Sequence, residues 1–344
     1  MTVTPAQEQR TTTTKYAPAS VEVDTSVRHR SVEVHQSVLL TSSYNTSLAT
    51  SVLDHRHENG RRYHKFRDWS YLLPNDESEI NRLGMVHELC LLLRHRKLDL
   101  APIKNPQRVT DLATGTGIWA IDFADQHPDA EWAPALPNVK FLVDDIESEW
   151  AYESNLFDFV HARNLTVSIK DFPKLIKQCY RSIKPGGWVE FQDFDGYPHS
   201  EDGSIEGTAI LRYYNEVYSI FEKAGYETRP GIKLEQWFKD AGFVNIHMEN
   251  LSFRPASGQR INIWSAFFPV FSKEQPSIDH VAQKRIGARA LAQAEEYAFE
   301  RYALAPLTRY KQWTKEEVMD LARRELTAEG ATFTWNSTCE YHRS

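Results

Sequence analysis

The sequence has little cysteine, no long apolar run and no excess of positive charge, and each shortage excludes a class of protein. Its three cysteines, Cys90, Cys179 and Cys339, lie far apart, which argues against a disulfide framework or a clustered metal site. No apolar stretch reaches the length of a membrane span, so we expect no membrane association. The formal net charge of −7 provides no broad basic surface for nucleic acid. Small molecules or proteins are therefore the expected partners.

The N-terminal region lacks both a secretory signal and a regular pattern. Residues 1–20 have no apolar segment behind a basic start, so a cytoplasmic protein is expected, or a nuclear one if it acts as a regulator. Residues 1–50 are rich in Ser, Thr and Val without sustained helical periodicity, which predicts a flexible arm. The alternating residues 20–24 could instead add an edge strand, although disorder is the favoured interpretation.

Order is expected to begin with a helical N-terminal segment over residues 51–100. Asp76 with Glu79 forms the pattern of a capping box. Apolar residues then recur at helical spacing and predict a helix over about 77–95: Ile80, Leu83, Val86, Cys90 and Leu93. The His- and Arg-rich stretch 55–64 has no regular ligand spacing, so we expect no metal site there but a polar lid segment.

From residue 108 to residue 193 the pattern alternates between short apolar runs and helices. Helices are predicted at 118–125 and 172–183, the second capped by Asp171. Strands are predicted at four apolar runs: 108–112, 139–143, 156–161 and, after Lys184-Pro-Gly-Gly187, 188–192. Such alternation indicates an α/β fold whose sheet is mainly parallel, with helices on both faces.

The remainder is rich in predicted helices. They cover 213–223, then 234–241 ended by Gly242, then the region around 286–298, and one that Thr314 and Glu317 open as a capping box. Strands are predicted from Val244 and over 331–341. Four aromatic residues at helical spacing could line an apolar pocket, although core packing is favoured: Trp264, Phe267, Phe268 and Phe271.

The segment Asp111-Leu-Ala-Thr-Gly-Thr-Gly117 holds the main chemical signal. It places small residues between a predicted strand and a predicted helix. Gly115 and Gly117 let the backbone approach a ligand, and the helix N-terminus turns its unpaired N–H groups toward it. By itself a loop with two glycines is also compatible with a plain strand-to-helix turn.

Four further motifs follow this loop in order. They are Asn138-Val-Lys-Phe141 with Asp144-Asp145, Phe157-Asp-Phe159 with Arg163-Asn164, Ser168-Ile-Lys-Asp171, and Lys184-Pro-Gly-Gly-Trp-Val-Glu-Phe-Gln192. With Asp111 to Asp125 the set resembles the fungal S-adenosylmethionine-dependent methyltransferases of the LaeA/UMTA group. The resemblance runs from about Glu58 to the C-terminus, including Trp313 to Val318, and leaves out the arm.

This resemblance implies a Rossmann-like class I methyltransferase fold with added N- and C-terminal helices. The methyltransferase domain is expected over 101–344, with helical insertions that cap the substrate around 200–235 and 260–325. S-adenosyl-L-methionine is the implied cofactor. The residues implied to bind it are Asp111, Ala113, Gly115 and Gly117 for its methionine part, Asp144 or Asp145 near the adenine, and Arg163 and Asn164 at the carboxyl edge of the sheet.

Two departures from the family pattern concern the cofactor. Ala113 stands where the family's loop normally begins with glycine, which adds a methyl group close to the ligand. An acidic residue about 20 residues after the loop usually binds the ribose hydroxyls. Here that region reads Glu131-Trp-Ala-Pro-Ala-Leu-Pro-Asn138, whose prolines disfavour a central strand. Glu131 is the one local residue that could replace this ribose-binding acidic residue.

No sequence rule selects a catalytic residue, so that assignment stays unknown. The candidates lie after predicted strands, at the carboxyl edge where open α/β sheets bind ligands: His161, Asp193, Tyr197 and His199. An ordinary hydrogen-bonded histidine and a polar surface loop are the alternatives.

The leading hypothesis is methyl transfer to a small-molecule acceptor in fungal secondary-metabolite biosynthesis. A second is a methyltransferase fold repurposed as a cyclase or isomerase, which the two departures favour. A third is a LaeA-like regulator acting through protein partners. A fourth explanation is that the segment with the ribose-binding acidic residue is missing after Glu131 because of an error in defining the coding sequence. This explanation would restore the first hypothesis.

Overall fold

The computed structural model describes residues 55–65, 71–128, 144–193, 195–199, 206–253, 301–324 and 332–342. The N-terminal arm, the strand expected at 139–143, Glu131 and the helix expected near 286–298 lie outside the described residues. So do four aromatic residues: Trp264, Phe267, Phe268 and Phe271.

The described elements alternate between strands and helices over most of the chain. In chain order they are β1 (His55–Glu58), β2 (Arg61–His64), α1 (Glu77–Leu93), β3 (Val109–Leu112), α2 (Ile118–Gln126), β4 (Phe157–Arg163), α3 (Phe172–Ser182), β5 (Ile183–Gln192), β6 (Asp195–His199), α4 (Ala209–Lys223), α5 (Leu234–Ala241), β7 (Val244–Phe253), α6 (301–311), α7 (Lys315–Arg324) and β8 (Thr332–His342).

The main sheet is built on three parallel strands, in the order β3, β4, β5. Strand β8 then pairs antiparallel with β5 and β6, and also with β7. Because each of these partners runs against β8, strands β3 to β7 all point in one direction. The expectation of a mainly parallel sheet is therefore confirmed.

Side-chain alternation gives the two faces of the sheet separate cores. On one face Val109 and Phe159 pack against Trp119 and Phe123 of α2. On the other face an apolar layer from β4 and β5 packs against α3 and α5: Val160, Ala162, Val189, Phe191, Leu175, Ile176, Cys179, Leu234 and Phe238. Helices thus cover both faces, as expected.

Local capping signals predicted the helix ends well. Asp171 Oδ1 accepts from the backbone N–H of Lys174 at 2.9 Å at the start of α3. Thr314 and Glu317 form the complete reciprocal box that opens α7, since the backbone N–H of each donates to the side chain of the other. At α1 only half of the box forms: Asp76 Oδ1 accepts from the N–H of Glu79, but the Glu79 carboxylate pairs with arginines instead. Helix α1 still begins at Glu77, as predicted.

The expectation of a helical segment over 51–100 is wrong for residues 55–64, which form a β-hairpin. His55 pairs with His64 and Glu58 with Arg61 across a two-residue turn. That turn is Asn59-Gly60, with φ of 53° and 84°, and Asn-Gly is the preferred dipeptide for a tight hairpin because both central residues need positive φ. This Asn-Gly dipeptide lies within the His- and Arg-rich stretch 55–64. Among the described residues of this segment, helix is confirmed for α1.

Strand β5 begins earlier than the run after Lys184-Pro-Gly-Gly187 predicted. It starts at Ile183, which pairs with Phe157, so the Pro-Gly-Gly sequence lies inside the strand. A Cβ on Gly187 would stand 2.7 Å from Ile183 Cγ1 and 3.0 Å from the carbonyl oxygen of Asp158. Glycine is therefore required here, because the Ile183 side chain of the same strand and the backbone of β4 leave no room for a Cβ.

Among the described residues, no helix is long and apolar enough to cross a membrane.

Candidate functional site

The loop between β3 and α2 consists of residues in an unusual backbone conformation. Ala113, Gly115 and Gly117 have φ of 53°, 59° and 76°. This left-handed region favours glycine, because a Cβ there crowds the following carbonyl oxygen. Ala113 therefore carries strain at the position where the LaeA/UMTA pattern has glycine. Gly117 is the N-cap of α2 and offers no capping side chain.

A cavity of about 420 Å³ opens above this loop. One wall comes from the carboxyl edge of the sheet and the glycine loop: Asp111 to Thr116, Ile118, Trp119, Asp144, His161, Arg163, Asn164, Leu165 and Ser168. The rest of the lining comes from the hairpin, the residues before α1, α1 itself and α6: His64, Tyr71, Leu83 and Arg301. We call this second set the cap wall.

Asp111 and His161 occupy one rung of the sheet and form a pair. They are register partners on β3 and β4, and His161 Nδ1 lies 2.7 Å from Asp111 Oδ1. The imidazole is fully buried and stacks on Trp119, with ring centroids 3.6 Å apart and planes 5° apart. Burial lowers the pKa of His161 against the opposing effect of the Asp111 carboxylate. The histidine is thus held neutral, with Nδ1–H donating to Asp111 and Nε2 left as an acceptor.

Asn164 follows β4 and sits in a left-handed conformation, with φ of 57°. Its backbone N–H donates to the carbonyl oxygen of Gln192 at 2.9 Å, which holds the side chain at the cavity wall. Three buried polar atoms of this wall have no hydrogen-bond partner among the described residues: Asn164 Oδ1, Thr114 Oγ1 and His161 Nε2. Buried polar atoms are rarely left unpaired, so this wall is suited to a ligand that donates hydrogen bonds.

Arg163 is the cation of the sheet-side wall. Its Nη2 donates to His87 Nδ1 at 3.1 Å. His87 Nε2 in turn lies 2.8 Å from Asp122 Oδ2 on α2. His87 is fully buried and connects helices α1 and α2 to the end of β4.

The two predicted acidic residues near the adenine have different environments. Asp144 lines the cavity and accepts the backbone N–H of Asp145. Asp145 does not line it; its carboxylate accepts from Glu147 N–H at 2.9 Å and from Ser148 Oγ at 3.3 Å. Asp145 therefore shapes the turn, and Asp144 is the member of the pair that faces the cavity.

A buried polar network lies on the same face of the sheet as His161. Glu190 accepts the backbone N–H groups of residues 100–101 and the side-chain amide of Gln192. Gln192 accepts from Arg94 at 2.5 Å. Burial, together with repulsion from Glu190, raises the pKa of Asp99 to about 7. This network joins the end of α1 to β5 beside the cavity.

The structure separates the candidate catalytic residues. His161 lines the cavity. Asp193 does not: its carboxylate accepts the N–H groups of Leu165 and Thr166 and the hydroxyl of Thr166, so it anchors the loop after β4. Tyr197 donates to Asn215 on α4, outside the cavity lining. His199 lies on β6, in register with Thr332.

Several cavity residues were not foreseen from the sequence. Trp119 and Thr114 lie within motifs but carry no ligand signal of their own. His64, Tyr71 and Arg301 come from three separate segments, and no local pattern predicts that these meet at one wall. The hairpin is the exception, because its Asn-Gly turn was a recognisable signal.

Comparison with known proteins confirms the resemblance. A family model described as a methyltransferase domain matches residues 85–248. The methyltransferase pytC of Aspergillus terreus is 38% identical over 227 residues, which cover 62% of this chain and 69% of pytC. The protein-methionine methyltransferase laeA of Emericella nidulans is 31% identical over 281 residues, covering 77% of this chain and 69% of laeA.

Among solved structures, Haemonchus contortus phosphoethanolamine N-methyltransferase 2 in complex with S-adenosyl-L-methionine is 16% identical, with 87% of this chain and 73% of that one covered and a TM-score of 0.44. The class I methyltransferase fold and S-adenosylmethionine as cofactor, both expected from the motifs, agree with the family match and the curated relatives. This chain belongs to the S-adenosylmethionine-dependent methyltransferase family that includes pytC and laeA.

Proposed function

We propose that this chain transfers a methyl group from S-adenosylmethionine to a small-molecule acceptor of fungal secondary metabolism, and that both bind in the cavity above the glycine loop. The observation that carries the proposal is the group of three buried, unpartnered polar atoms on Thr114, His161 and Asn164. They lie beside a loop whose positive-φ residues bring backbone close to the cavity.

These residues fit the cofactor. The methionine end of S-adenosylmethionine carries an ammonium, whose N–H donors match the three unpartnered atoms in number and polarity. A cavity of about 420 Å³ lies within the usual range of small-molecule sites. Asp144 offers a carboxylate to the hydroxyl or amine groups of the nucleoside. Two of the predicted cofactor-binding residues contribute indirectly. Asp111 orients His161, and Asp145 holds the turn that follows it.

The reaction needs alignment more than acid–base chemistry. When bound, the cofactor supplies a methyl group already activated on a sulfonium. The protein's part is to hold the acceptor in line and to exclude water, and such positioning is worth about 7–11 kcal/mol of the barrier at most. We assign the acceptor to the cap wall of His64, Tyr71, Leu83 and Arg301, because the sheet-side wall carries the cofactor groups. No base is required, which agrees with the engagement of Asp193 and Tyr197 elsewhere.

Calorimetric titration with S-adenosylhomocysteine tests the cofactor site. We expect micromolar binding, and Asn164→Ala should weaken it about 5- to 10-fold through loss of one hydrogen bond to a charged group. Asn155→Ala is the matched control, since Asn155 is also left-handed, with φ of 59°, but does not line the cavity. Absence of binding at millimolar ligand would refute the proposed site.

The acceptor can be sought in extracts of a strain that lacks the gene. One accumulated precursor, which the purified protein methylates with labelled cofactor, is the expected result. His64→Ala should then raise the KM for that acceptor and leave the Kd of S-adenosylhomocysteine unchanged. An unchanged KM would remove the hairpin from the acceptor site.

A regulatory role is the second candidate, favoured by the 31% identity to laeA over 77% of this chain. Loss of the gene would then silence many products instead of accumulating one precursor. The metabolite profile of the same strain therefore separates the two functions.

A further inference from the structure

His87 bridges a carboxylate and an arginine that belong to different elements. It lies one helical turn after Leu83, which lines the cavity on α1. Its ring nitrogens lie 3.1 Å from Arg163 Nη2 and 2.8 Å from Asp122 Oδ2. This fully buried histidine does not itself line the cavity.

The partners of His87 determine which nitrogen carries its proton. A guanidinium can only donate, so Nδ1 must accept from Arg163 through its lone pair. The neutral ring then carries its hydrogen on Nε2, which donates to the Asp122 carboxylate. Such an arrangement orients the ring, as carboxylates do for metal-binding histidines. Asp122 and His87 together restrain the direction in which Arg163 points.

Arg163 is a cation whose hydrogen-bond partner among the described residues is a neutral side chain. No carboxylate of the described residues forms an ion pair with it; its described hydrogen-bond partner is the neutral imidazole of His87. It follows Ala162, the register partner of Leu112, and so lies beside the start of the glycine loop. The N-terminus of α2 opens on the same cavity at Ile118. A cation and a helix N-terminus at one place favour an anionic ligand group.

We propose that His87 and Asp122 are positioning residues that hold Arg163 toward the carboxylate of the amino-acid part of S-adenosylmethionine. This inference rests on the proposed function and extends it. The methionine end of the cofactor is a zwitterion, and the wall offers both complements: acceptors on Thr114, His161 and Asn164 for the ammonium, and Arg163 for the carboxylate. An anionic acceptor molecule is the competing occupant of Arg163.

Two ligands that differ only by the amino-acid group provide the test. S-adenosylhomocysteine has this group, whereas 5′-methylthioadenosine shares the nucleoside and thioether but lacks it. Both would be titrated into the full-length wild-type chain and its variants by calorimetry. Arg163→Gln should raise the Kd of S-adenosylhomocysteine about 10- to 100-fold, the usual value of hydrogen bonds to a charged group. The Kd of 5′-methylthioadenosine should change by less than about twofold.

The positioning role is tested at His87. Phenylalanine in His87→Phe keeps the ring but removes both hydrogen bonds, and we expect a rise of about 3- to 10-fold in the Kd of S-adenosylhomocysteine alone. In His87→Gln the amide can accept from Arg163 and donate to Asp122, so most of the affinity should return. Glu88→Gln, on the same helix but paired with Arg96 outside the cavity, is the control and should match the wild type.

Each outcome decides between defined alternatives. Equal losses for both ligands in His87→Phe would mean a general structural role and overturn the proposal. Unchanged binding of S-adenosylhomocysteine in Arg163→Gln would also overturn it and favour an anionic acceptor as the occupant of Arg163. If the wild-type chain binds neither ligand, the proposed cofactor site itself fails, which is distinguishable from both. Retained binding of 5′-methylthioadenosine shows in the same experiment that a variant is folded.

Discussion

Replacing Asp99 by asparagine should stabilise the protein at alkaline pH and leave it almost unchanged at acidic pH. Burial and the nearby Glu190 carboxylate raise the pKa of Asp99 from 3.8 to about 7. At about 1.4 kcal/mol for each pH unit between the two pKa values, the displacement corresponds to a ceiling of about 4 kcal/mol. Because Asp99 is partly exposed to solvent, we expect about half of this, ~2 kcal/mol.

The sign of the effect follows from proton linkage. Between pH 3.8 and about 7 the folded state holds a proton on Asp99 that the unfolded state has released. The free energy of unfolding contributed by this group therefore falls as pH rises through that window, and is constant above it. Asparagine is neutral throughout, so the advantage of Asp99→Asn over the wild type should grow from near zero at pH 4 to its full value at pH 8.

Urea unfolding followed by tryptophan fluorescence at pH 4, 6 and 8 measures this difference. Contributions from titrating groups that do not interact with Asp99 cancel in the comparison of variant with wild type. Asp125→Asn, at an exposed position on α2, is the control for loss of one negative charge. If the stabilities of wild type and Asp99→Asn run parallel from pH 4 to pH 8, the raised pKa of Asp99 is refuted.

Three further substitutions test the backbone and loop arguments by urea unfolding. Ala113→Gly should raise the free energy of unfolding by about 0.5–1 kcal/mol, since it relieves the left-handed strain at φ 53°; a loss of stability would contradict this. Gly187→Ala should lower it by about 1–3 kcal/mol, because the new Cβ would meet Ile183 and the Asp158 carbonyl; a neutral result would show that β5 shifts freely. Asp193→Ala should lower it by about 3 kcal/mol as the loop after β4 loses its acceptors; an effect on turnover without one on stability would restore Asp193 as a catalytic candidate.

Much of the fold could be predicted because its signals are local. The stripe of α3 with its Asp171 cap, the Gly242 end of α5 and the alternation in β7 each depend on residues a few positions apart. The loop from Asp111 to Gly117 is similar, since one short segment supplies the strand end, the positive-φ turn and the helix start. The hairpin was missed although its Asn59-Gly60 signal is equally local, because its His and Arg content suggested a different role.

Assignments within the site depended on which side chains meet, and that is a property of the register and packing. Asp111 lies near the end of β3, and Asp193 follows the end of β5. The sequence alone could not show that Asp111 orients His161 whereas Asp193 anchors Leu165. The link from Asp122 through His87 to Arg163 joins α2, α1 and β4 across 76 positions between its histidine and arginine. No periodicity connects residues so far apart.

The sequence by itself therefore determined the family, most of the helices and strands from α1 to β7 and the glycine loop, because capping, alternation and turn chemistry act within a few residues. Only the tertiary structure decided which polar groups face the cavity and which support the loops around it. The physical reason is that the carboxyl ends of parallel strands converge at one edge, and each buried polar atom there must find a partner in the protein or in a ligand.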